Sequence, residues 1–286
     1  MTESATVALL GAGIMANTVA HALHQHGVVL HRYNRTTSAI AGPGRVYASP
    51  AQAAYSASIV WSFVHDDQAS RRVWSGPDGA LTAADGVVAI ESSTLSPGYA
   101  EQWSHNAEQA GARPVYAAVT GSRAGVENAG LIAFTAGRSG DRAAAEPILR
   151  VVVAEILAFD SVGQAATVKL LNNALAAVIL TGLAETLATA QSLGLDTAAL
   201  LGVWARHGWA APVASGYGTA MVTGEHRLRD CSLAVIAKDL RYTLEVTGTQ
   251  SVPLIGATAR RFEAAVTAGL GAQEMSAVIR ADGDSQ

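Results

Sequence analysis

Through its first 163 residues the chain alternates short apolar runs with longer amphipathic ones, and after Gly163 the alternation stops. The short runs include Thr6 to Leu10, VVLHRYN (28–34), VYAS (46–49), SIVWSFV (58–64), GVVAIESST (86–94), RPVYAAVTGS (113–122), LIAFTAG (131–137) and EILAFDSVG (155–163). Each is too short for a stable helix and rich in β-branched or aromatic residues, which is the signature of a buried strand. Helical segments such as DDQASRRVWSG, SPGYAEQWSHNAEQAG and DRAAAEPILRVVVA separate them. A helix between two strands returns the chain to the same sheet edge, so the strands run mostly parallel and helices cover both faces.

From residue 164 to 194 a single long apolar helix is expected, and Leu195 to Ile279 reads as further helices with breaks near Gly208, Pro212, Gly224, Gly248 and Pro253. The expected architecture is α/β: a Rossmann-type doubly wound sheet over 1–163, then an all-α domain over 164–286. The long helix would connect the domains and line the cleft between them.

Composition narrows the partners. The net charge is −4 and no Lys/Arg cluster stands out, which argues against a nucleic-acid surface or an anionic-membrane anchor. Cys231 is the single cysteine, so no internal disulfide can form, as suits a reducing cytosol. The N-terminus lacks a basic region and a long apolar core, unlike a secretory signal. The apolar stretch Leu170 to Leu195 is interrupted by Asn172, Asn173, Thr181, Glu185, Thr186 and Gln191, so a buried helix of a soluble, cytoplasmic protein is expected rather than a membrane span. His21, His24 and His26 share the first helix without a third ligand and read as surface residues, so no metal is expected.

The first strand runs into Gly11-Ala12-Gly13-Ile14-Met15-Ala16. Gly11 suits a tight turn, and Gly13 lets a pyrophosphate approach the backbone at a helix N-terminus. An ordinary strand-to-helix turn is the alternative. The second strand ends in Asn34-Arg35-Thr36-Thr37, where such folds read the adenosine ribose. With a guanidinium there instead of a carboxylate, a 2′-phosphate is favoured over a 2′-hydroxyl, hence NADPH over NADH, with a solvated loop arginine as the alternative. Loops 63–67, 92–97 and 120–125 follow strands and are the places to look for ligand contacts. Ser93, Thr94 and Ser96 suit either a helix cap or a cofactor.

Between Asp160 and Asp196 only Lys169 and Glu185 are charged. Lys169, Asn172 and Asn173 stand at i, i+3 and i+4, so they share one helix face. A snorkelling lysine with backbone-bonded asparagines would also account for that pattern. Lys238 and Asp239 follow on a later helix, where Lys238 could be a solvated residue.

In this order the motifs resemble the β-hydroxyacid dehydrogenase family, which includes 3-hydroxyisobutyrate dehydrogenase and the glyoxylate/succinic-semialdehyde reductases. LLGAGIMA with YNRT, ESSTLSP, AAVTGSRAGVENAGL, GQAATVK, NN, KDL and GAQEMSAVI carry the likeness over nearly the whole chain. The resemblance implies that Lys169 is catalytic and that Asn173 lies beside the substrate. Thr120, Gly121 and Ser122 would hold a substrate carboxylate. Gly11, Ala12, Gly13, Ile14, Met15, Asn34, Arg35, Thr36, Val64, Thr94 and Lys238 would contact NADPH. A small aldehyde, 2-oxo acid or hydroxy acid would be the substrate, and the chain would form a homodimer or higher homo-oligomer.

Several positions depart from the family pattern: Tyr116-Ala117-Ala118 where it has an acidic residue, Ala and Pro, Thr120 for Ser, and Glu274 for Asp. Trp209 and Tyr217 suggest a bulkier or less polar substrate. An imine reductase and a non-catalytic NADPH-binding scaffold stay open as alternatives.

Overall fold

The computed structural model describes residues 5–207, 211–247 and 252–282. Chain contacts divide it into two compact units, 1–169 and 170–286.

The first unit is built on one eight-stranded sheet, β1 (Thr6–Leu10), β2 (Val29–Tyr33), β3 (Arg45–Val46), β4 (Ile59–Ser62), β5 (Val88–Glu91), β6 (Arg113–Thr120), β7 (Leu131–Ala136) and β8 (Val153–Ala158), in the order β3-β2-β1-β4-β5-β6-β7-β8. All pairings are parallel except β6 with β7. The helices are α1 (Ile14–Gln25), α2 (Pro50–Ala54), α3 (Asp67–Trp74), α4 (Pro97–Gln109), α5 (Arg123–Glu127) and α6 (Ser139–Leu149). Two separate cores, one on each face, confirm the doubly wound arrangement. One holds Leu10, Val60, Trp74, Trp103 and Tyr116, the other Leu9, Val19, Leu23, Trp61 and Ile90. β4 and β5 are buried at every position, which is why their sequence runs apolar without alternating.

Three local expectations shift. VYAS gives only the two-residue β3, because the Ser49 hydroxyl accepts from the Gln52 N–H and Pro50 starts α2. Helix α6 ends at Leu149, and the Val-rich stretch after it enters β8 instead of extending the helix. The run EILAFDSVG leaves the sheet at Ala158, and Ser161 accepts from the Gln164 N–H at the start of the next helix.

That helix, α7 (Val162–Ser192), is continuous for 31 residues. The units divide after Lys169, later than the boundary expected at Gly163, because Val162, Ala165 and Ala166 pack into the first unit's core. From Ala174 onward its buried residues, Ala177, Leu180, Leu183, Ala184 and Leu187, form the core of the second unit. This packing covers part of a helix whose length and composition would suffice to cross a membrane, while Leu171, Leu175 and Ile179 stay exposed. The second unit continues through α8 (Thr197–Arg206), α9 (Ala211–Val213), a π-helical turn, α10 (Thr219–Thr223), α11 (Leu233–Thr247) and α12 (Pro253–Ala265). Gly224 ends α10 with a φ of 75° and Pro253 starts α12, as the breaker residues suggested, whereas the breaks near Gly208 and Gly248 lie outside the described residues.

Candidate functional site

Because β2, β1, β4, β5 and β6 are parallel neighbours, their carboxyl ends lie along one edge of the sheet. The loops after β1, β2, β4, β5 and β6 carry the residues singled out in the first unit.

The Gly11 N–H donates to the Tyr33 carbonyl at 2.8 Å, and the residue adopts φ 115°. A Cβ there would collide with the Phe63 carbonyl oxygen, so the turn between β1 and α1 demands glycine. Gly13 is different. Its φ of −70° suits any residue and a Cβ would meet nothing within 4 Å. The protein's own packing therefore does not require this glycine. It leaves open space over the N-terminus of α1, where no side chain caps the helix and no acidic residue occupies the first turn. Ala12, Ile14 and Met15 complete the turn.

After β2, the Asn34 side-chain amide donates to the Thr36 carbonyl at 2.8 Å, shaping the loop, while Arg35 and Thr36 are exposed. No carboxylate follows β2 within this loop.

The loops after β4 and β5 are joined. The Val64 N–H donates to the Ser93 hydroxyl at 2.8 Å, so that N–H is engaged and the Val64 side chain packs toward the Gly11 turn. Ser93 is in turn held by Glu91, whose Oε1 accepts from the Ser93 N–H at 2.8 Å. Glu91 is fully buried and also accepts from the Ser62 and Ser70 hydroxyls and from Trp74 Nε1. Burial pushes its carboxyl above the usual range, against the pull of these hydrogen bonds. Ser96 caps α4 and bonds Asp67, Ser93 holds Val64, and the half-buried Thr94 stands between them. Tyr116, where the family pattern has an acid, donates its hydroxyl to the Ser93 carbonyl at 3.2 Å.

At the end of β6, Thr120 is half-buried and Gly121 and Ser122 are exposed. The Ser122 hydroxyl accepts from the Gly125 N–H at 3.4 Å, the first turn of α5. Elsewhere in the first unit Pro97, Glu101, Phe159, Ser161, Gly163, Gln164, Thr167 and Val168 line an open, mostly apolar hollow of about 530 Å³.

Lys169 is 8% exposed, which removes the snorkelling alternative. Asn173 follows one turn later on α7. In the second unit its Nδ2 donates to Asp239 Oδ2 at 2.5 Å, and the Asn172 amide donates to Asn173 Oδ1 at 3.2 Å. A carboxylate only accepts, so the nitrogen of Asn173 must face Asp239. Asp239 is fully buried and its other oxygen lies 2.7 Å from Lys238 Nζ. Lys238 is 3% exposed and sits 5.1 Å from the Tyr242 ring centroid, so it is not a solvated residue. Glu274, the other acidic departure, accepts from the backbone N–H groups of Arg229, Asp230 and Cys231 and closes that loop. Tyr217 is half-buried against the second unit's core, where burial beside Asp230 and Glu274 pushes its hydroxyl up to about 12, and Trp209 lies outside the described residues. His21, His24 and His26 are exposed.

Sequence alone does not point to Glu91 or Asp239 as site residues. A signal existed for Glu91, a charge ending a run buried on both faces. For Asp239 only the adjacent Lys238 hinted at pairing, and the partner Asn173 is far away in the chain.

Residues 6–163 match the NAD binding domain of 6-phosphogluconate dehydrogenase, and residues 163–281 match the NAD-binding domain of NADP-dependent 3-hydroxyisobutyrate dehydrogenase. The chloroplastic glyoxylate/succinic semialdehyde reductase 2 of Arabidopsis thaliana is 27% identical over 96% of this chain and 79% of that protein. A 3-hydroxyisobutyrate dehydrogenase from Salmonella typhimurium superposes with a TM-score of 0.86 at 21% identity, covering 97% of this chain and 99% of that one. An imine reductase from Streptomyces aurantiacus shares the fold with a TM-score of 0.64 at 20% identity, over 96% and 98% of the two chains.

Proposed function

The chain belongs to the β-hydroxyacid dehydrogenase family, a nicotinamide-dependent oxidoreductase family acting on hydroxyl groups, and on that premise we propose that it uses NADPH to interconvert a small aldehyde or 2-oxo acid with its hydroxy acid. The observation that carries the carbonyl reading is the pair on α7, a buried Lys169 with Asn173 one turn later, its amide oriented by Asp239.

The residues fit the cofactor. Open space over Gly13 at the N-terminus of α1 suits a pyrophosphate, with Gly11, Ala12, Ile14 and Met15 forming the turn. Exposed Arg35 and Thr36, on a loop shaped by Asn34, suit a 2′-phosphate. Val64, Thr94 and Lys238 complete the proposed contacts. When bound, NADPH supplies the hydride.

The protein's own groups do the rest. The Lys169 ammonium protonates the developing alkoxide oxygen during reduction and stabilises its charge in an apolar setting. Asn173 orients the carbonyl through its amide. Thr120, Gly121 and Ser122 hold a substrate carboxylate through hydroxyl and backbone N–H groups at the end of β6. In the oxidative direction a neutral Lys169 takes the proton back.

The imine reductase alternative shares the fold, and Lys169 with Asn173 weighs against it. A screen of semialdehydes, 2-oxo acids and cyclic imines, each with NADPH and NADH, tests reaction class and cofactor together. Turnover of semialdehydes or 2-oxo acids with NADPH is expected, and turnover of cyclic imines alone would overturn the carbonyl reading.

The proposed assembly is a homodimer or higher homo-oligomer of a cytoplasmic enzyme. Leu171, Leu175 and Ile179, at i, i+4 and i+8 on α7, are 45%, 62% and 43% exposed, an apolar stripe suited to a second copy.

A further inference from the structure

Strand β2 alternates in burial, and its inward positions are Leu30 and Arg32. The second asks for an apolar side chain and receives a guanidinium that is 0% exposed. Burying an unpaired cation is costly, and among the described residues Arg32 finds only neutral oxygens: Asn17 Oδ1 at 2.7 Å and the carbonyls of Pro43 and Ala41 at 3.1 and 3.4 Å. Its Nε has no hydrogen-bond partner among the described residues, and burial lowers its pKa. Gly44 lies so close that a Cβ there would reach 2.7 Å from Arg32 Cγ, with φ at 115°. The chain beyond β2 thus closes directly onto the arginine stem.

Asn17, on the first turn of α1, uses both ends of its amide. Oδ1 accepts from Arg32 and from the Ala41 N–H at 3.3 Å. Nδ2 donates to the Ala12 carbonyl at 3.0 Å and to the Ala39 carbonyl at 3.1 Å. One side chain therefore ties the Gly-rich turn to the loop that presents Arg35 and Thr36. Nothing in helix formation requires this, since an α1 residue at that position could face solvent.

We propose that Asn17, anchored on Arg32, is a positioning residue for cofactor discrimination: it fixes the Arg35–Thr36 loop relative to the Gly-rich turn, and the charge of Arg32, not neutralised by a carboxylate, favours a dianionic 2′-phosphate there. The proposal rests on the NADPH reading. It assigns selectivity to two residues besides the exposed Arg35.

The test separates the 2′-phosphate from the rest of the cofactor and needs no turnover. Calorimetric binding of 2′,5′-ADP and of ADP to the full chain is compared for wild type, Asn17→Ala, Asn17→Asp, Arg32→Lys and Arg35→Ala, with melting curves confirming that each variant is folded. Wild type prefers 2′,5′-ADP. Asn17→Ala reduces that preference about tenfold, the size of one charge-assisted hydrogen bond, with ADP affinity changed much less. Asn17→Asp keeps an acceptor for Arg32 but neutralises it and loses both donated bonds, so its preference falls further. Arg32→Lys keeps the charge without the fork and lies between. An Asn17→Ala protein that loses affinity for both ligands equally, or for neither, overturns the proposal and leaves the NADPH reading standing. A wild type with no preference overturns the NADPH reading, and the proposal with it.

Discussion

Asn173 and Asp239, 66 residues apart in sequence, meet through an Nδ2 to Oδ2 hydrogen bond of 2.5 Å. The same carboxylate pairs with Lys238 at 2.7 Å, so one buried acid orders an amide and an ammonium. Asp239→Asn removes the charge that fixes both. Mispositioning of this kind costs on the order of 10²-fold in turnover. The expected outcome is a fall in kcat of about that size in steady-state kinetics, with the fold intact by circular dichroism. Unchanged kcat would detach Asp239 from the proposed site.

Lys169→Ala removes the proposed proton donor. General acid catalysis is worth about 10²–10⁴-fold, so kcat is expected to fall within that range while NADPH affinity, read by fluorescence titration, changes little. Equal turnover would remove Lys169 from the mechanism.

Glu91→Gln places an NH₂ group among donors. Trp74 Nε1 faces one carboxylate oxygen and the Ser93 N–H faces the other, so the new amide must oppose one of them. A buried unmet group of this kind costs about 1–3 kcal/mol. Lower stability in urea is expected, together with a raised KM for the cofactor, because Ser93 holds Val64. A stability unchanged within error would contradict the network.

His226 gives the second unit a pH signature. It is buried, its Nδ1 lies 2.9 Å from Ser276 Oγ, and its Nε2 has no hydrogen-bond partner among the described residues. Burial and the nearby Arg280 charge lower its pKa from 6.5, with Glu274 opposing. The unfolded chain then binds the proton more readily than the folded one, so stability falls as pH drops below about 6.5 toward the lowered folded value. Melting temperatures measured across that window are expected to drop more for wild type than for His226→Gln. Parallel curves would assign the acid limb to the carboxylates.

Leu175→Arg, at the centre of the exposed stripe on α7, is expected to shift the protein toward monomer in sedimentation at micromolar concentration without lowering the folded fraction. An assembly as stable as wild type would place the interface elsewhere.

Much of this protein is legible from sequence because the relevant rules are local. Strand and helix periods set the doubly wound sheet, Gly11 answers to a turn with φ 115°, Ser96-Pro97 starts α4, and the i, i+4 spacing puts Lys169 and Asn173 on one face of α7. The end of β3 and the start of β8 were less legible, since capping by Ser49 and the competition between helix and strand after Leu149 depend on neighbours a few residues away.

What the sequence by itself determined is the order of elements, the Gly-rich turn, the cationic loop after β2 and the polar face of α7, each fixed by residue type and short-range spacing. Tertiary structure alone decided that Arg32 is buried and Asn17 is its partner, that Glu91 anchors Ser93, and that Asp239 meets Asn173. The physical reason is that a polar group removed from water must find its complement wherever folding brings one, and that partner can stand anywhere along the chain.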